Sequence, residues 1–453
     1  MPVRRLSPED ELMLRLDARW PQDIGAIAIL DGEGLLDADG RLRVEVLRKA
    51  IGARLHGAPR FRQLIHHPGR FQGGPVWVDA PVVDLDHHVR VLPLPPGSGE
   101  AQLLDAVEKL RARRLDPSRP QWEMWFLPGL PGRRVGLFVR WQHALADGRA
   151  AMSLLAAFLD PAPDTVVPPV AWAPAPTPTT AELLVDNVRR RVRRLAVVLK
   201  TLTRPRATAR RVRGALPMVR ETLAQQPGPE TSLNRVVGPG RRFALLRTTL
   251  EQVHQIAAAH GATVNDVLLA VTAGGLRALL SARGEPVGSV PVYVPVSLRR
   301  GGQGGTEGNL ISQMVVPLPL GIADPDSRLR RIAQETARRK SVARPSLGTL
   351  FRSRWISRPM LRAVNRQRVN VETGNVAGPA RPVYLAGARL LEVFPVLNLI
   401  GSVGLGVGAL SYAGAFEICV TADRDACPDL DVFVDGARAE LDDLAARASQ
   451  NRR

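Results

Sequence analysis

A chain of 453 residues exceeds what one ordinary hydrophobic core accommodates, so two domains of about 150 to 230 residues each are expected. The formal charge of +19 is local: residues 187–220 carry twelve basic side chains and no acid, which leaves fifty basic against 43 acidic residues for the whole remainder. Arginine outnumbers lysine 58 to 4, a chain-wide bias, and no reader motif or aromatic-interleaved basic strand accompanies it, so nucleic acid is not among the expected partners.

The start, Met1-Pro2-Val3-Arg4-Arg5-Leu6-Ser7, runs into charged residues without an apolar signal core. Ser7-Pro8-Glu9-Asp10 offers an N-cap, a proline at N1 and acids in the first turn, which predicts a short helix through Leu12, Leu14 and Leu16. Ala26 to Leu30 reads as a strand stopped by Asp31-Gly32, and a helix follows near Val44 to Leu55. Short strands and Pro/Gly turns reach Gly97, then a helix covers about Glu100 to Arg114. Arg134 to Trp141 reads as a buried strand, and Ala150 to Leu159 as a helix for which Asp147 is a candidate cap. Alternation of helices and strands predicts a mixed α/β layer fold.

Seven prolines between Pro161 and Pro178 forbid a helix and stiffen a linker. The expected division is a first domain over 1–160, a linker over 161–230 and a second domain over 231–453. Within the linker, Leu184, Val188, Val192, Leu195 and Leu199 recur at helical spacing while Arg189, Arg190, Arg193 and Arg194 fill much of the rest. Two readings of this basic amphipathic helix carry equal weight: contact with a membrane or lipid-droplet surface through residues 181–223, or a linker helix packed on the body with its arginines in solvent. Domain two predicts a strand at Phe243 to Leu250, helices at Glu251 to His260 and Val264 to Ala282, a strand at Val290 to Val296 and a helix at Ser327 to Arg339. Val393 to Phe416 carries no charge, but its five glycines, Pro395 and Asn398 suit two buried strands joined by a Gly-rich turn better than a membrane span. Cys419 and Cys427 are too few for a disulfide framework, and the expected location is the reducing cytoplasm.

Among eight histidines only His143 has an aspartate four residues on, in Trp141-Gln142-His143-Ala144-Leu145-Ala146-Asp147-Gly148. Val135, Leu137, Val139 and Trp141 alternate along the preceding strand, so His143 falls just past its end, where loops project reactive groups from a rigid sheet. Imidazole accepts a hydroxyl proton near neutral pH because its ordinary pKa is about 6.5. Asp147 is suited to orient the loop, and Gly148 lets backbone pass closely. The plain alternative, an ordinary strand-to-helix turn with His143 as a polar loop residue, stays open on the motif alone. His66-His67 and His87-His88 are set aside, and no His or Cys pair has ligand spacing supported by a third ligand, so no metal is expected.

Read together, these segments resemble the wax ester synthase/diacylglycerol acyltransferase family, part of the CoA-dependent acyltransferase superfamily. The pattern His-His-x-x-x-Asp-Gly is similar to Gln142 to Gly148, Pro-Leu-Trp-Glu to Pro120-Gln121-Trp122-Glu123, and the Asn-Asp helix start to Asn265-Asp266. Pro295-Val296-Ser297-Leu298-Arg299, Gly308-Asn309, Asn375-Val376-Ala377-Gly378-Pro379, Leu410-Ser411-Tyr412-Ala413-Gly414 and Ala422-Asp423-Arg424-Asp425 follow in the same order. Departures are Gln142 for the first histidine, Gln121 for leucine and Ala377 for proline.

The resemblance implies two chloramphenicol-acetyltransferase-like α/β domains with an active-site channel at their interface; the cysteine usage and the basic helix together make the expected place the cytoplasm, peripheral on the inner membrane face or on lipid droplets. It implies direct transfer of a long-chain acyl group from acyl-CoA to a fatty alcohol or diacylglycerol, with His143 as base and no permanently bound cofactor. Asn265 becomes a candidate oxyanion donor, with helix capping by Asn265 or Asp266 as the alternative. No Walker or Rossmann loop identifies which basic residues would meet CoA. Because Gln142 cannot titrate, a catalytically impaired acyl-lipid-binding paralogue is the second reading, and acylation of another hydroxyl or amine a third.

Overall fold

Ser7 opens the first helix as its sequence predicts: its hydroxyl accepts the Asp10 N–H at 3.0 Å, and the Asp10 carboxylate accepts the Ser7 N–H at 3.2 Å. The computed structural model describes residues 3–145, 155–203, 228–297, 311–340 and 369–450.

In chain order the first part comprises α1 (Pro8–Asp17), β1 (Asp23–Asp31), α2 (Val44–Arg54), the hairpin β2 (Gln63–His66) and β3 (Val76–Asp79), α3 (Leu85–His88), β4 (Val89–Val91), α4 (Glu100–Arg111), β5 (Trp122–Leu130) and β6 (Arg134–Gln142). After α5 (Thr180–Leu202) come β7 (Arg241–Thr249), α6 (Leu250–Ala259), α7 (Val264–Ala282), β8 (Ser289–Ser297), β9 (Ile311–Pro319) and α8 (Pro325–Lys340). The last part holds β10 (Val371–Ala377), β11 (Tyr384–Leu385), β12 (Ala388–Val396), β13 (Leu405–Tyr412), β14 (Ala415–Asp423) and α9 (Leu430–Gln450). Most predicted elements appear within a few residues of their expected ends; of the helix expected over 150–159 only 155–159 is described, with Leu155 and Ala156 helical.

The strands form two six-stranded sheets, ordered β11-β12-β1-β6-β5-β4 and β7-β14-β13-β10-β8-β9. This order corrects the expected split of the chain. Residues 384–396 belong by sequence to the second domain but add β11 and β12 to the first sheet, with Gly25 opposite Val396 and Ala28 opposite Val393 in antiparallel register. The uncharged stretch from Val393 to Phe416 does hold buried strand residues, but on strands of different sheets: β12 lies in the first and β13 in the second, and residues 397–404 cross between them. Periodicity reports burial and not which sheet a strand joins.

Three cores follow. One lies between the second sheet and α6, α7, α8 and α9, including Leu268, Val292, Val316, Val407 and Phe433. One lies on a face of the first sheet, with Phe61, Trp122, Val139 and Trp141. The third fills the seam, where Ile27, Phe138 and Phe394 of the first sheet meet Leu103 and Val107 of α4 and Phe243, Leu245 and Cys419 of the second sheet. β6 is therefore buried on both faces, which is why its sequence is apolar almost throughout.

α7 is long and apolar enough to cross a bilayer by composition, but it is the central core helix of the second half. It meets α9 so closely that a Cβ on Gly275 would lie 2.7 Å from the Phe433 carbonyl oxygen. The Pro-rich segment runs along the first half, where Trp172 lies under the Arg62 guanidinium and the Ala175 N–H donates to Asp79 at 3.0 Å. α5 departs from the packed-linker expectation, since its apolar stripe is exposed.

Candidate active site

β6 leads directly into His143, beside the first-sheet core residues Trp141, Ala144 and Leu145. The strand is held between β1 and β5, with Gln142 opposite Asp23 and Trp141 opposite Trp122, so the residue that follows it has little freedom. His143 is half-buried. Its N–H donates to the Gln22 carbonyl at 2.8 Å, and the Gln142 N–H donates to the Gln121 carbonyl at 3.0 Å. The turn is closed by the Leu145 N–H on the Gln142 carbonyl at 2.9 Å.

The Gln142 side chain has a defined job in this turn. It is 2% exposed, and its Oε1 accepts the Ala144 N–H at 2.5 Å, a contact that assigns the amide oxygen and nitrogen. The side chain thus clamps the backbone on the far side of His143. Replacement of the family's first histidine removes a titratable group and keeps a hydrogen-bond acceptor at that position.

Below the turn lies a buried charge network. Arg140 is paired through Nη2 with Glu123 at 2.9 Å and through Nη1 with Asp23 at 3.5 Å, and Asp23 also faces Arg111 at 3.6 Å. Arg140 Nη1 donates to the Arg113 carbonyl at 2.7 Å, and Trp125 Nε1 donates to Glu123 at 2.9 Å. Glu123 of the Pro-Gln-Trp-Glu segment therefore supports the floor under the histidine turn. Its neighbour Trp122 stacks on His88 with ring centroids 4.3 Å apart and donates from Nε1 to the Phe61 carbonyl at 2.8 Å. His88 Nδ1 lies 2.8 Å from the Trp122 carbonyl, and burial pulls the imidazole pKa down to about 4, so His88 is a neutral core residue.

Two residues of this neighbourhood had no sequence signal. Gln22, fully buried, precedes β1; its Nε2 donates to the Trp20 carbonyl at 2.8 Å and its N–H to Asp17 at 2.6 Å. Asn398, on the 397–404 crossing, donates from Nδ2 to Gln22 Oε1 at 2.8 Å. Only the long-range arrangement brings them to the back of His143.

The remaining sequence candidates separate. Asp147 and Gly148 lie outside the described residues, as do Gly308-Asn309 and Leu298-Arg299. Asn265 and Asp266 start α7, where the N-cap is Thr263. Asp266 Oδ2 accepts the Thr263 N–H at 2.9 Å and hydroxyl at 2.7 Å, and Oδ1 accepts the Thr336 hydroxyl at 2.6 Å. That carboxylate completes a capping box and ties α7 to α8, a structural role. Asn265 is half-buried in the first turn of α7, and among the described residues no hydrogen bond joins it to the His143 turn.

A family model described as the wax ester synthase/diacylglycerol acyltransferase catalytic domain matches residues 6–268, and one for the WS/DGAT C-terminal domain matches residues 307–445. A Mycobacterium tuberculosis relative that carries the name of a diacylglycerol O-acyltransferase is 31% identical over 477 residues, covering 98% of each chain. A Mycobacterium bovis relative of the same name is 31% identical over 448 residues, covering 93% of this chain and 86% of its own. Among solved structures, the wax ester synthase/diacylglycerol acyltransferase of Marinobacter aquaeolei VT8 superimposes with a TM-score of 0.68 at 26% identity, covering 98% of this chain and 100% of that one. The starter condensation domain of rhizomide synthetase shares the two-domain fold, with a TM-score of 0.62 at 14% identity over 99% of this chain and 94% of its own. The chain belongs to the wax ester synthase/diacylglycerol acyltransferase family and is an acyltransferase with two chloramphenicol-acetyltransferase-like halves.

Proposed function

We propose that the chain moves a long-chain acyl group from acyl-CoA to the hydroxyl of a fatty alcohol or diacylglycerol, with His143 as general base. The observation that supports this reading is the fixation of the His143 turn, with the His143 N–H held by the Gln22 carbonyl and the N–H of the next residue, Ala144, held by the Gln142 side chain. The imidazole takes the hydroxyl proton as the alcohol oxygen bonds to the thioester carbonyl carbon. Collapse of the tetrahedral intermediate breaks the C–S bond, and the imidazolium returns the proton to the departing CoA thiolate. Atoms balance as ester plus free CoA, without an acyl-enzyme. Substrates would reach the histidine through a channel along the seam between the halves, and the proposed place of the enzyme is the cytoplasm, peripheral on the inner membrane face or on lipid droplets. Asp147 would orient the turn and Asn265 would serve as an oxyanion donor, both on the strength of the family pattern.

The test is CoA release by purified protein given palmitoyl-CoA with hexadecanol or diacylglycerol. His143→Ala is expected to lower turnover at least ~100-fold with the fold intact by circular dichroism. Turnover retained by that variant overturns the base assignment. Acyl-CoA bound by the wild type without CoA release toward any hydroxyl or amine acceptor would instead leave an acyl-lipid-binding protein.

A further inference from the structure

Among the described residues, α5 is tied to the rest of the protein through its first two turns. Leu183 is buried with Val76 and Val78, Asp186 pairs with Arg5 at 2.6 Å, and Asn187 Nδ2 donates to the Phe71 carbonyl at 2.6 Å. These three side chains define the face that looks at the body. At about 100° per residue, Val185, Val188, Val192, Leu195 and Leu199 cluster on a stripe roughly 150° round the helix from Leu183. They are 49%, 58%, 61%, 59% and 53% exposed. A helix with this pattern ordinarily turns its apolar stripe inward; α5 turns it outward.

The flanks of the stripe are basic. Arg189 and Arg191 lie about 80° to either side of the centre of the stripe, Arg193 lies farther round on the Arg189 side, all three are exposed, and no acid occurs in the sequence from 187 to 220. Long arginine side chains beside an exposed apolar row reach the phosphate level while the row enters the acyl layer. Nucleic acid has no use for the apolar row, and a packed helix partner has no use for uniform positive flanks. Beside the docked end, Phe71 is 64% exposed and held at a positive φ of 71°, with the Arg70 guanidinium over its ring at 4.9 Å. A bulky residue at positive φ is uncommon, and here it leaves an aromatic ring in solvent next to the same helix.

We propose that the outward stripe of α5 with its arginine flanks is a docking surface for an anionic phospholipid bilayer. The proposal names the surface for the peripheral placement given above. It stands without the acyl-transfer reading, because vesicle binding is measured with no substrate present.

The experiment is co-sedimentation of the full chain with phosphatidylcholine vesicles and with mixed phosphatidylcholine–phosphatidylglycerol vesicles. Wild type is expected to sediment with the mixed vesicles and to be released by salt. The double variant Val188→Asp/Leu195→Asp is expected to lose binding at least ~10-fold at unchanged melting temperature, since both side chains lie outside the cores. Arg191→Gln/Arg193→Gln is expected to weaken binding to the mixed vesicles several-fold. Wild type that ignores the mixed vesicles, or a double-aspartate variant that binds as wild type does, overturns the proposal. A wild-type dimer that the double-aspartate variant converts to monomer also overturns it, because the stripe would then be covered by a second copy.

Discussion

Asn398 Nδ2 and Gln22 Oε1 meet at 2.8 Å although 376 positions separate them, and the Gln22 carbonyl holds the N–H of His143. Asn398 rides on the segment that crosses from the first sheet to the second. The hydrogen bond therefore ties the back of the histidine turn to the point where the halves join. Asn398→Ala is expected to lower kcat about tenfold with KM for acyl-CoA nearly unchanged, since it loosens the turn that carries the proposed base. Steady-state CoA release checks it. A variant with a raised KM and normal kcat would show a substrate contact instead.

Gln142 is the second positioning residue. Gln142→Ala deletes the acceptor for a buried N–H and should cost about 1–3 kcal/mol of stability, read as a lower urea midpoint, together with a drop in kcat. Gln142→Glu keeps an acceptor at the same place and is expected to recover much of the turn geometry. Equal activity in wild type and Gln142→Ala would show that the clamp on Ala144 is dispensable.

Glu123 supports the turn from below. Glu123→Leu leaves Arg140 with Asp23 and two backbone carbonyls but without its closest carboxylate, in a site nearly closed to water. Removing one partner of a buried ion pair costs about 3–5 kcal/mol. The loss should appear in chemical denaturation before any kinetic change is interpreted.

A pH dependence follows from Glu417. It is 3% exposed on β14, its Oε2 accepts the Val393 N–H of β12 at 2.5 Å, and burial pushes its carboxyl pKa up to about 8 from an ordinary 4.5. Between those values the folded chain holds a proton that the unfolded chain has released. Stability from this group is thus full below pH about 4.5 and is lost as pH rises through about 8. Glu417→Gln keeps an acceptor for Val393 and removes the titration. Urea midpoints at pH 5, 6.5 and 8 should fall more steeply in wild type than in the variant.

Much of the fold was legible locally. The Ser7 cap, the alternation in β6, the glycine stop after α6 and the spacing in α5 each depend on neighbours a few residues away. What the sequence could not reveal depends on distant partners. β12 has the same apolar pattern whichever sheet it joins, and Gln22 and Asn398 look like ordinary loop amides until the sheets come together. His143 stood out as a candidate by its motif, while the hydrogen bond from the Ala144 N–H to the Gln142 side chain depends on how the turn folds. The Asn265-Asp266 start of α7 was read with two alternatives, and for Asp266 the bonds to Thr263 and Thr336 favour the cap. For α5 the spacing was right, but only exposure tells outward from inward.

The pairing of β1 with β12 also bears on how the chain comes off the ribosome. β1 finds β6 early, but its other edge, over Gly25 to Leu30, has no natural neighbour until residues 390–396 have been translated. For most of synthesis that apolar edge is an open template for pairing with another nascent chain. A gene truncated before residue 388 should therefore yield aggregates rather than a soluble first half, and co-expression of a fragment carrying β11 to β14 is the manipulation most suited to rescue it.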